Sequence, residues 1–456
     1  MIIRARVVVT MDGPPIENGA VVVSEDRIVD VGRFDEVKAR YKRSIDDSPP
    51  GSSPSRASRL RRSAPAGSVV DLGEQALLPG LINAHCHLDY TCLRGKIPRQ
   101  KSFTDWIRAI NAEKAKLSPE DYVGSINEGF AEAKRFGTTT IANLTAFPEL
   151  IARIQSPIRT WWFAELIDVR DLSRGNEVVD FAAEQLKSTE HWGLAPHAPF
   201  TASANLYRRC EEIAQSEDVL LTTHQAESGE EMSMFRDASG PLYDFMKEIG
   251  RDMNDCGRTT PLALFLDLMG RGGLPNRSEP DWLLRAIEVN RPYLSWIVVH
   301  LNELTESDFD LLRRSKLNFQ IIHCPRSHAY FEHSPFRFEK LRELGFNICL
   351  GTDSLASNDD LSLFAEMRAF QRQFPSVLAQ EIVKMVTTSP ARALRRENLL
   401  GKIRSGFVAD LIAIPIARHS ESVLGRTRST SAFEEIIGFD RPVGWSMIDG
   451  QVQNSA

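Results

Sequence analysis

The feature that most constrains this chain is a series of eight short apolar runs that alternate with helical sequence between residues 76 and 353. Runs that are apolar throughout are typical of parallel strands covered on both faces. Six of the eight runs lead into a histidine or an aspartate. Those residues are His85 (with His87 two positions on), His197, His224, His300, His323 and Asp353. Eight such units predict an α/β fold, a (β/α)8 TIM-like barrel, whose active site lies at the carboxyl ends of the strands.

The boundaries of the predicted elements follow from the same patterns. The eight predicted strands are 76–78 leading to His85, 138–142, 158–164, 194–196, 219–223, 296–299, 319–322 and 346–350. Helical spacing predicts a helix over 104–116. Ser118 followed by Pro119 is typical of a helix start, and Gly137 of its end. The barrel is therefore expected to span residues 76–398.

The two ends of the chain have a different pattern. Runs at 7–10, 20–23 and 27–31 are rich in β-branched residues and separated by turn sequences, and strands return at 409–414 and 442–452. We predict one small β-sandwich domain built from residues 1–75 and 399–456. The Ser/Pro/Arg-rich tract at 47–67 interrupts it, and such a composition is typical of a flexible loop.

Composition limits the classes of partner and compartment. The net charge of −6 gives no electrostatic basis for nucleic-acid binding. No run reaches the ~18 apolar residues of a membrane span, so no membrane partner is expected. The start of the chain reads as a short strand rather than a signal peptide. The six scattered cysteines include no Cys-x-x-Cys pair, which favours free thiols in a reducing cytoplasm.

The strand-end residues are of the types that hold a divalent metal. On an extended strand, the spacing of His85 and His87 places both imidazoles on one face, about 7 Å apart. Two such histidines also occur by chance, but their coincidence with the other strand ends favours a metal site. With His224 and Asp353 they would leave one position open for water. A metal lowers the pKa of bound water from ~15.7 toward ~7, and Asp353 could accept the released proton or simply cap a helix.

Other polar residues near the strand ends are candidates for catalysis and substrate binding. Glu227, three residues after His224, could carry a proton, although it could also be one more carboxylate of an acidic run. His300 could hold the attacking hydroxide or a developing oxyanion. His197 and His323 could contact the substrate or orient the ligands.

Three further histidines have less distinctive positions. His328 lies on the loop after the seventh strand, where substrates commonly bind, whereas we treat His191 and His333 as surface residues. The third strand ends in Ala164-Glu165-Leu166 without a lysine. A two-metal site bridged by a modified lysine is therefore not expected, and a single ion is favoured.

Four motifs resemble the amidohydrolase superfamily, and most closely its deaminase/chlorohydrolase branch. They are Pro-Gly-Leu-Ile-Asn-Ala-His85-Cys-His87, Thr-His224-Gln-Ala-Glu227, Val-Val-His300 and Leu-Gly-Thr-Asp353-Ser-Leu-Ala-Ser-Asn358. The segments 389–394 and 406–411 resemble the same branch. It includes guanine, cytosine, S-adenosylhomocysteine and aminodeoxyfutalosine deaminases and the triazine hydrolases.

The resemblance implies one Zn²⁺ ion, with Fe²⁺ as a second option, held by His85, His87, His224 and Asp353. It implies that Glu227 carries a proton to the ring nitrogen of the substrate and that His300 positions the water. Asp353 would act as base, hydroxide would add to an amino-bearing carbon of a purine-like or other heteroaromatic ring, and ammonia would leave. Members of the family are often dimers or larger, so a homo-oligomer is possible.

The resemblance also suggests substrate contacts. His197, in Ala195-Pro196-His197-Ala198-Pro199, matches a substrate-side histidine of the nucleoside-processing members. Trp106 has the helical spacing of a core residue, but the segment Phe103-Thr104-Asp105-Trp106 resembles the aminodeoxyfutalosine-type members and makes Trp106 a candidate contact. Where many members have Asn-Pro-x-Ser-Asn, this chain has His323-Cys324-Pro325-Arg326-Ser327-His328.

Two alternative functions stay open at the level of sequence. The same site could hydrolyse another carbon–nitrogen bond, as in an amide, or the carbon–chlorine bond of a triazine. A catalytically silent scaffold is the other alternative, but it would be expected to lack one or more of the ligands, and all four are present in this chain.

Overall fold

The structure is a computed structural model, and it describes residues 1–46, 69–271, 296–315, 319–417 and 431–453. The predicted flexible loop at 47–67 lies outside the described residues. Within those ranges, no helix combines the length and apolar character that crossing a bilayer requires.

Parallel strands form a nine-stranded sheet that carries the barrel. Its members are β6 (Leu81–His87), β7 (Thr138–Thr145), β8 (Arg159–Leu166), β9 (Trp192–Pro196), β10 (Leu220–Gln225), β11 (Trp296–His300), β12 (Gln320–His323), β13 (Asn347–Leu350) and β14 (Asp353–Ser354). Neighbours in the chain are neighbours in the sheet, and β14 pairs with β6, so the ring closes on its first strand. The predicted TIM-like barrel is confirmed.

One strand assignment from the sequence is wrong. The run Ala76–Leu78 belongs to β5 (Gln75–Pro79), which pairs with strands of the other sheet, whereas the first barrel strand begins at Leu81. Gly80 is the single residue that connects β5 to β6. A Cβ atom there would lie 2.2 Å from the hydroxyl oxygen of Thr139, so the close approach requires glycine.

Fifteen helices of α type are described. They are α1 (Phe34–Asp46), α2 (Phe103–Lys114), α3 (Pro119–Arg135), α4 (Gly175–Leu186), α5 (Ala204–Glu217), α6 (Gly229–Asp237), α7 (Pro241–Glu248), α8 (Pro261–Arg271), α9 (Glu306–Ser315), α10 (Pro325–Phe331), α11 (Phe338–Glu343), α12 (Leu363–Gln373), α13 (Ala379–Lys384), α14 (Thr388–Ala393) and α15 (Ala432–Gly438).

The helix start predicted at Ser118 and Pro119 is present. The Ser118 hydroxyl accepts a hydrogen bond from the Asp121 backbone at 3.2 Å, and the Asp121 carboxylate accepts one from the Ser118 backbone at 2.8 Å. This reciprocal pair satisfies two of the donors that a helix leaves exposed at its start. Helix α3 ends at Arg135, and Gly137 follows with a φ of +83°.

The chain ends form a separate mixed sheet. In sheet order it contains β17 (Gln451–Gln453), β16 (Trp445–Ile448), β15 (Leu411–Pro415), β5, β1 (Ile2–Val8), β2 (Ile16–Ser24) and β3 (Arg27–Arg33), with β4 (Val69–Asp71) beside β1. Alternate residues of β2 belong to different apolar clusters. Val21 and Val23 pack in one cluster, and Ala20 and Val22 pack in another. Alternation along a strand means that both faces of the sheet are packed.

Two compact units divide the chain. One comprises Met1–Asn83, Glu132–Thr140 and Ser362–Ala456, and the other comprises Ala84–Ala131 and Ile141–Leu361. Every candidate site residue named from the sequence lies in the second unit. The domain boundaries at 75/76 and 398/399 stay a prediction.

Candidate metal centre

Three of the four predicted metal ligands converge at the carboxyl ends of β6 and β10. The ring centroids of His85 and His87 are 4.9 Å apart, and the His224 ring lies 5.1 Å from His85 and 5.5 Å from His87. One ligand atom from each of the three imidazoles lies within 4.8 Å of the others, and all three residues are buried. Strands about 140 residues apart in sequence therefore bring three nitrogen donors to one point.

Asp353, the fourth predicted ligand, presents one carboxylate oxygen to the same point. Its Oδ1 lies 3.7 Å from Nε2 of His85 and 3.8 Å from Nε2 of His87. Its Oδ2 accepts a hydrogen bond of 2.6 Å from the Ser327 hydroxyl. One oxygen is thus held by the protein, and the other faces the imidazoles.

The tautomer of His224 is fixed by the main chain. Its Nδ1 lies 3.0 Å from the carbonyl oxygen of His197, which can only accept a hydrogen bond. Nδ1 must therefore carry the proton, and Nε2 has a free lone pair. Histidines that bind metals are commonly held in this way through the nitrogen that the metal does not use.

The donor set fits a divalent metal ion. Two ligands about 2.1 Å from a tetrahedral ion are about 3.4 Å apart, close to the separations of Asp353 Oδ1 from the two imidazole nitrogens. Three imidazoles with one carboxylate suit zinc and other borderline metals. The site can therefore hold a metal ion.

Glu227 is placed by a tight turn after β10. Ala226 adopts a left-handed conformation with a φ of +48°, and the backbone N–H groups of Ala226 and Glu227 donate to the Glu231 carboxylate at 3.2 and 2.7 Å. The Asn302 amide donates to the Glu227 carbonyl at 3.0 Å. These hydrogen bonds hold the backbone of Glu227 in one position, which limits the directions that its side chain can take.

His300 closes the group on the side of Glu227. Its Nε2 lies 3.6 Å from Glu227 Oε1, and one ligand atom each of Glu227, His300 and Asp353 lies within 4.8 Å of the others. His300 has a φ of +78° and Asp353 one of +56°. Residues other than glycine rarely adopt this conformation, and such strain is concentrated at functional sites.

Burial separates the protonation states of the site. It lowers the pKa of His87 and of His300 well below the usual value, and that of His224 to about 3, so these rings are neutral at pH 7 and available as ligands. Burial raises the pKa of the Glu227 carboxyl well above its usual range. Burial also opposes ionisation of Asp353, but its contact with His85 and the nearby imidazoles hold its pKa well below the usual value.

Glu165, at the end of β8, is a site residue that the sequence analysis did not select. Its Oε1 lies 3.9 Å from Nδ1 of His87 and 4.0 Å from Nε2 of His197. The position at a strand end, which selected the histidines, was the signal that could have identified it. His197 itself lies beside the ligands, with its ring 4.9 Å from that of His224 and its Nδ1 2.6 Å from the Thr201 hydroxyl.

The remaining sequence candidates lie outside this group of contacts. His323 stacks on Phe336 at 4.0 Å, and His328 Nε2 lies 2.9 Å from the Ser334 carbonyl. His191 and His333, both treated as surface residues, are partly buried: the His191 ring stacks on Trp161 at 4.0 Å, and the His333 ring lies 5.8 Å from that of His328. Trp106 packs edge-on against Phe331 at 4.9 Å, consistent with a core position. The substrate contacts predicted for His323, His328 and Trp106 stay predictions.

Comparison with known proteins identifies the family. The profile of the amidohydrolase family matches residues 76–438. The chain belongs to the amidohydrolase family. This amidohydrolase is therefore a hydrolase that acts on carbon–nitrogen bonds, and the resemblance inferred from its motifs is confirmed. A short second match, to an imidazolonepropionase-like composite domain of bacteria, covers residues 19–41.

Individual relatives support the same assignment. A 5-methylthioadenosine/S-adenosylhomocysteine deaminase of Pyrococcus furiosus is 26% identical to this amidohydrolase over 372 residues, 78% of each chain. The structure of Helicobacter pylori aminofutalosine deaminase in complex with methylthio-coformycin matches with a TM-score of 0.78, at 20% identity over 99% of both chains. Atrazine chlorohydrolase from Arthrobacter aurescens TC1, complexed with zinc, matches at 0.72, with 17% identity over 99% of this chain and 95% of that one. At these identities the solved structures show the fold alone.

Proposed function

We propose that this amidohydrolase is a metal-dependent deaminase that replaces the amino group of a purine-like ring by oxygen and releases ammonia. The observation that carries the proposal is the convergence of three imidazoles and the Asp353 carboxylate on one point, with the Glu227 carboxyl group beside it. Because the groups are held in different protonation states, the site has both an acid and a base for one hydrolytic step.

We assign the metal as a single zinc ion, with Fe²⁺ as the second option. His85, His87, His224 and Asp353 would hold it. A bound divalent metal lowers the pKa of a water molecule toward neutrality, which supplies a nucleophile at pH 7. The zinc in the related atrazine chlorohydrolase structure supports this choice.

The chain's own residues account for the proton transfers. The carboxyl group of Glu227 donates its proton to the ring nitrogen next to the reacting carbon, which makes that carbon more electrophilic. Asp353 accepts the proton released as the carbon–oxygen bond forms. That proton then passes to the amino group, the carbon–nitrogen bond breaks and ammonia leaves, and the proton of the new hydroxyl group returns to Glu227 as the carbon–oxygen double bond forms. His300, neutral and 3.6 Å from Glu227, orients the attacking oxygen.

The substrate class follows from the relatives and from the site. The Pyrococcus relative is named as a deaminase of 5-methylthioadenosine and S-adenosylhomocysteine, and the Helicobacter structure as one of aminofutalosine. A purine-like or other heteroaromatic amine is therefore the proposed substrate. His197, with Nε2 directed to the Glu165 side of the site, is the proposed substrate-side histidine. The six free cysteines support a reducing compartment such as the cytoplasm, and a homo-oligomer stays a prediction.

Ammonia release over a substrate panel tests the proposal. The panel contains adenosine, 5-methylthioadenosine, S-adenosylhomocysteine, aminopyrimidines, atrazine and simple amides, each with zinc-loaded protein. We expect ammonia from at least one adenine-containing compound, and we expect Glu227→Gln to lower kcat at least ~10²-fold because the amide cannot supply the proton. The variant has nearly the same shape, so its zinc content should match that of the wild type.

Three outcomes would contradict the proposal. Full activity of the chelated, metal-free protein would exclude the metal mechanism. Release of chloride from atrazine, with no ammonia from any amine, would favour the alternative of a chlorohydrolase. An amide hydrolase would be indicated by cleavage of amide compounds alone.

A further inference from the structure

Glu165 is a buried carboxylate that the proposed reaction does not use. Its side chain is 7% exposed, at the carboxyl end of β8. Among the described residues, its Oε1 makes no hydrogen bond, and it lies 3.9 Å from Nδ1 of His87 and 4.0 Å from Nε2 of His197. Burying a carboxylate is costly unless it interacts with a complementary group, so its position between two imidazoles requires an explanation.

A second metal ion is one explanation, since ligand atoms of Glu165, His197 and His224 lie within 4.8 Å of one another. The tautomer of His224 argues against it. Its Nδ1 is engaged by the His197 carbonyl, so Nε2 is the one nitrogen that can bind a metal. We assign this Nε2 to the group formed with His85 and His87. Two protein ligands alone would then remain for a second ion.

The geometry of His87 gives a simpler explanation. Its Nε2 faces Asp353 Oδ1 at 3.8 Å, and its other nitrogen, Nδ1, faces Glu165 Oε1 at 3.9 Å. The carboxylate therefore lies at the nitrogen that the metal would not use. At 3.9 Å the contact is longer than a direct hydrogen bond, and it acts through charge or through a bridging water.

We propose that Glu165 is a positioning residue of the metal site, which fixes the proton of His87 on Nδ1 and leaves the Nε2 lone pair for the metal. The inference rests on the proposed metal centre. A negative charge beside Nδ1 favours the tautomer with the proton on that nitrogen and makes the ring a stronger donor at Nε2. The His197 carbonyl does the same for His224, so two ligands are oriented by two different acceptors.

Metal affinity of the full-length, metal-free protein tests this role without reference to any substrate. We would measure the dissociation constant for Zn²⁺ by competition with a chromophoric chelator, for the wild type, Glu165→Ala and Glu165→Gln. Loss of a partner of this kind weakens metal binding ~10- to 100-fold, and we expect this for the alanine variant. The glutamine variant keeps an oxygen acceptor but loses the charge, so we expect a smaller, measurable loss.

Asp168→Asn is the matched control. Asp168 is another buried carboxylate on the segment that follows β8, but its oxygens accept hydrogen bonds from the backbone and hydroxyl of Ser203 at 2.8 and 2.6 Å. The variant should lower the melting temperature and leave the zinc affinity unchanged. The absorption spectrum of the Co²⁺-loaded protein should change with Glu165→Ala and not with Asp168→Asn, because only the former disturbs a ligand.

The outcomes separate the inference from the metal centre itself. If the wild type binds no zinc, the proposed metal centre fails. If it binds zinc and Glu165→Ala and Glu165→Gln bind equally well, the positioning role is wrong. A raised KM with unchanged zinc affinity would also overturn it and assign Glu165 to substrate binding. If the alanine variant does not fold, the glutamine variant decides alone.

Discussion

Two groups of histidines lie at or beyond the carboxyl ends of the barrel strands, and they differ in what surrounds their rings. In the ligand group (His85, His87 and His224), the rings lie within 5.5 Å of one another beside Asp353. In the aromatic group (His323, His328 and His333), the rings contact Phe336, Phe331 and one another. Strand ends thus carry histidines of both groups, and the carboxylates of Asp353 and Glu165 beside the ligand group distinguish it from the aromatic group.

The largest expected effect tests this contrast directly. His224→Ala removes a nitrogen that points to the centre, so we expect zinc affinity to fall by more than ~10²-fold, beyond the loss typical of a residue that only supports a ligand. His323→Ala removes a ring that stacks on Phe336 and should leave the zinc content unchanged. Metal analysis after dialysis measures both. Equal loss of zinc in the two variants would contradict the assignment of metal binding to the ligand group alone.

The wall of the ligand group that carries His197 depends on a buried ion pair. Arg251 is bonded to Asp255 through two contacts of 2.7 Å and donates to the carbonyls of Pro199 and Phe200 at 3.1 and 3.0 Å. Breaking a buried pair leaves an uncompensated charge, so we expect Arg251→Met to lower the free energy of unfolding by about 3–5 kcal/mol. Denaturant unfolding measures the change.

Arg174→Met is the control for that substitution. Its pair with Glu177 is 58% and 68% exposed, and solvent screens such a pair, so this substitution should change the free energy of unfolding very little. Adding Asp255→Leu to Arg251→Met should restore part of the lost stability, because the orphaned carboxylate is then removed. Equal losses for Arg251→Met and Arg174→Met would show that the turn at Pro199 is not held by the buried pair.

The aromatic group should respond to acid in the absence of any metal. Burial lowers the pKa of His333 from 6.5 to about 3. Below pH 6.5 the His333 side chain binds a proton in the unfolded chain but not in the folded chain. Its contribution to the free energy of unfolding is therefore fully present above pH 6.5 and is lost as the pH falls from 6.5 to 3. One proton contributes at most about 1.4 kcal/mol per pH unit. His333→Phe should reduce this slope in unfolding measurements on metal-free protein, and an unchanged slope would show that the ring is solvated.

The fold was predictable because its signals are local. Each barrel strand is a short apolar run, and each run is followed by a chemically distinctive residue such as His224 or Asp353. The error at Ala76–Leu78 has a physical reason, because the chain leaves one sheet and enters the other within the single residue Gly80. When both strands are apolar, the hydrophobic pattern of the sequence does not indicate which sheet each strand joins.

The site was only partly predictable. Its histidines and Asp353 were found from strand-end positions and motifs, and the structure brings them together, although their roles stay predictions. Glu165 was missed because its relation to His87 exists only across neighbouring strands in space. Ser327, which donates to Asp353 at 2.6 Å, was visible as part of an unusual motif but gave no sign of its target.

The bond from His224 Nδ1 to the His197 carbonyl has a consequence for engineering. The acceptor belongs to the main chain, so exchanging the side chain at position 197 does not remove it. Variant libraries at position 197 can therefore change the side chain while the His224 imidazole keeps its orientation. His197 therefore supplies the proposed substrate contact through its side chain and the support of a proposed metal ligand through its main chain, and the two can be changed separately.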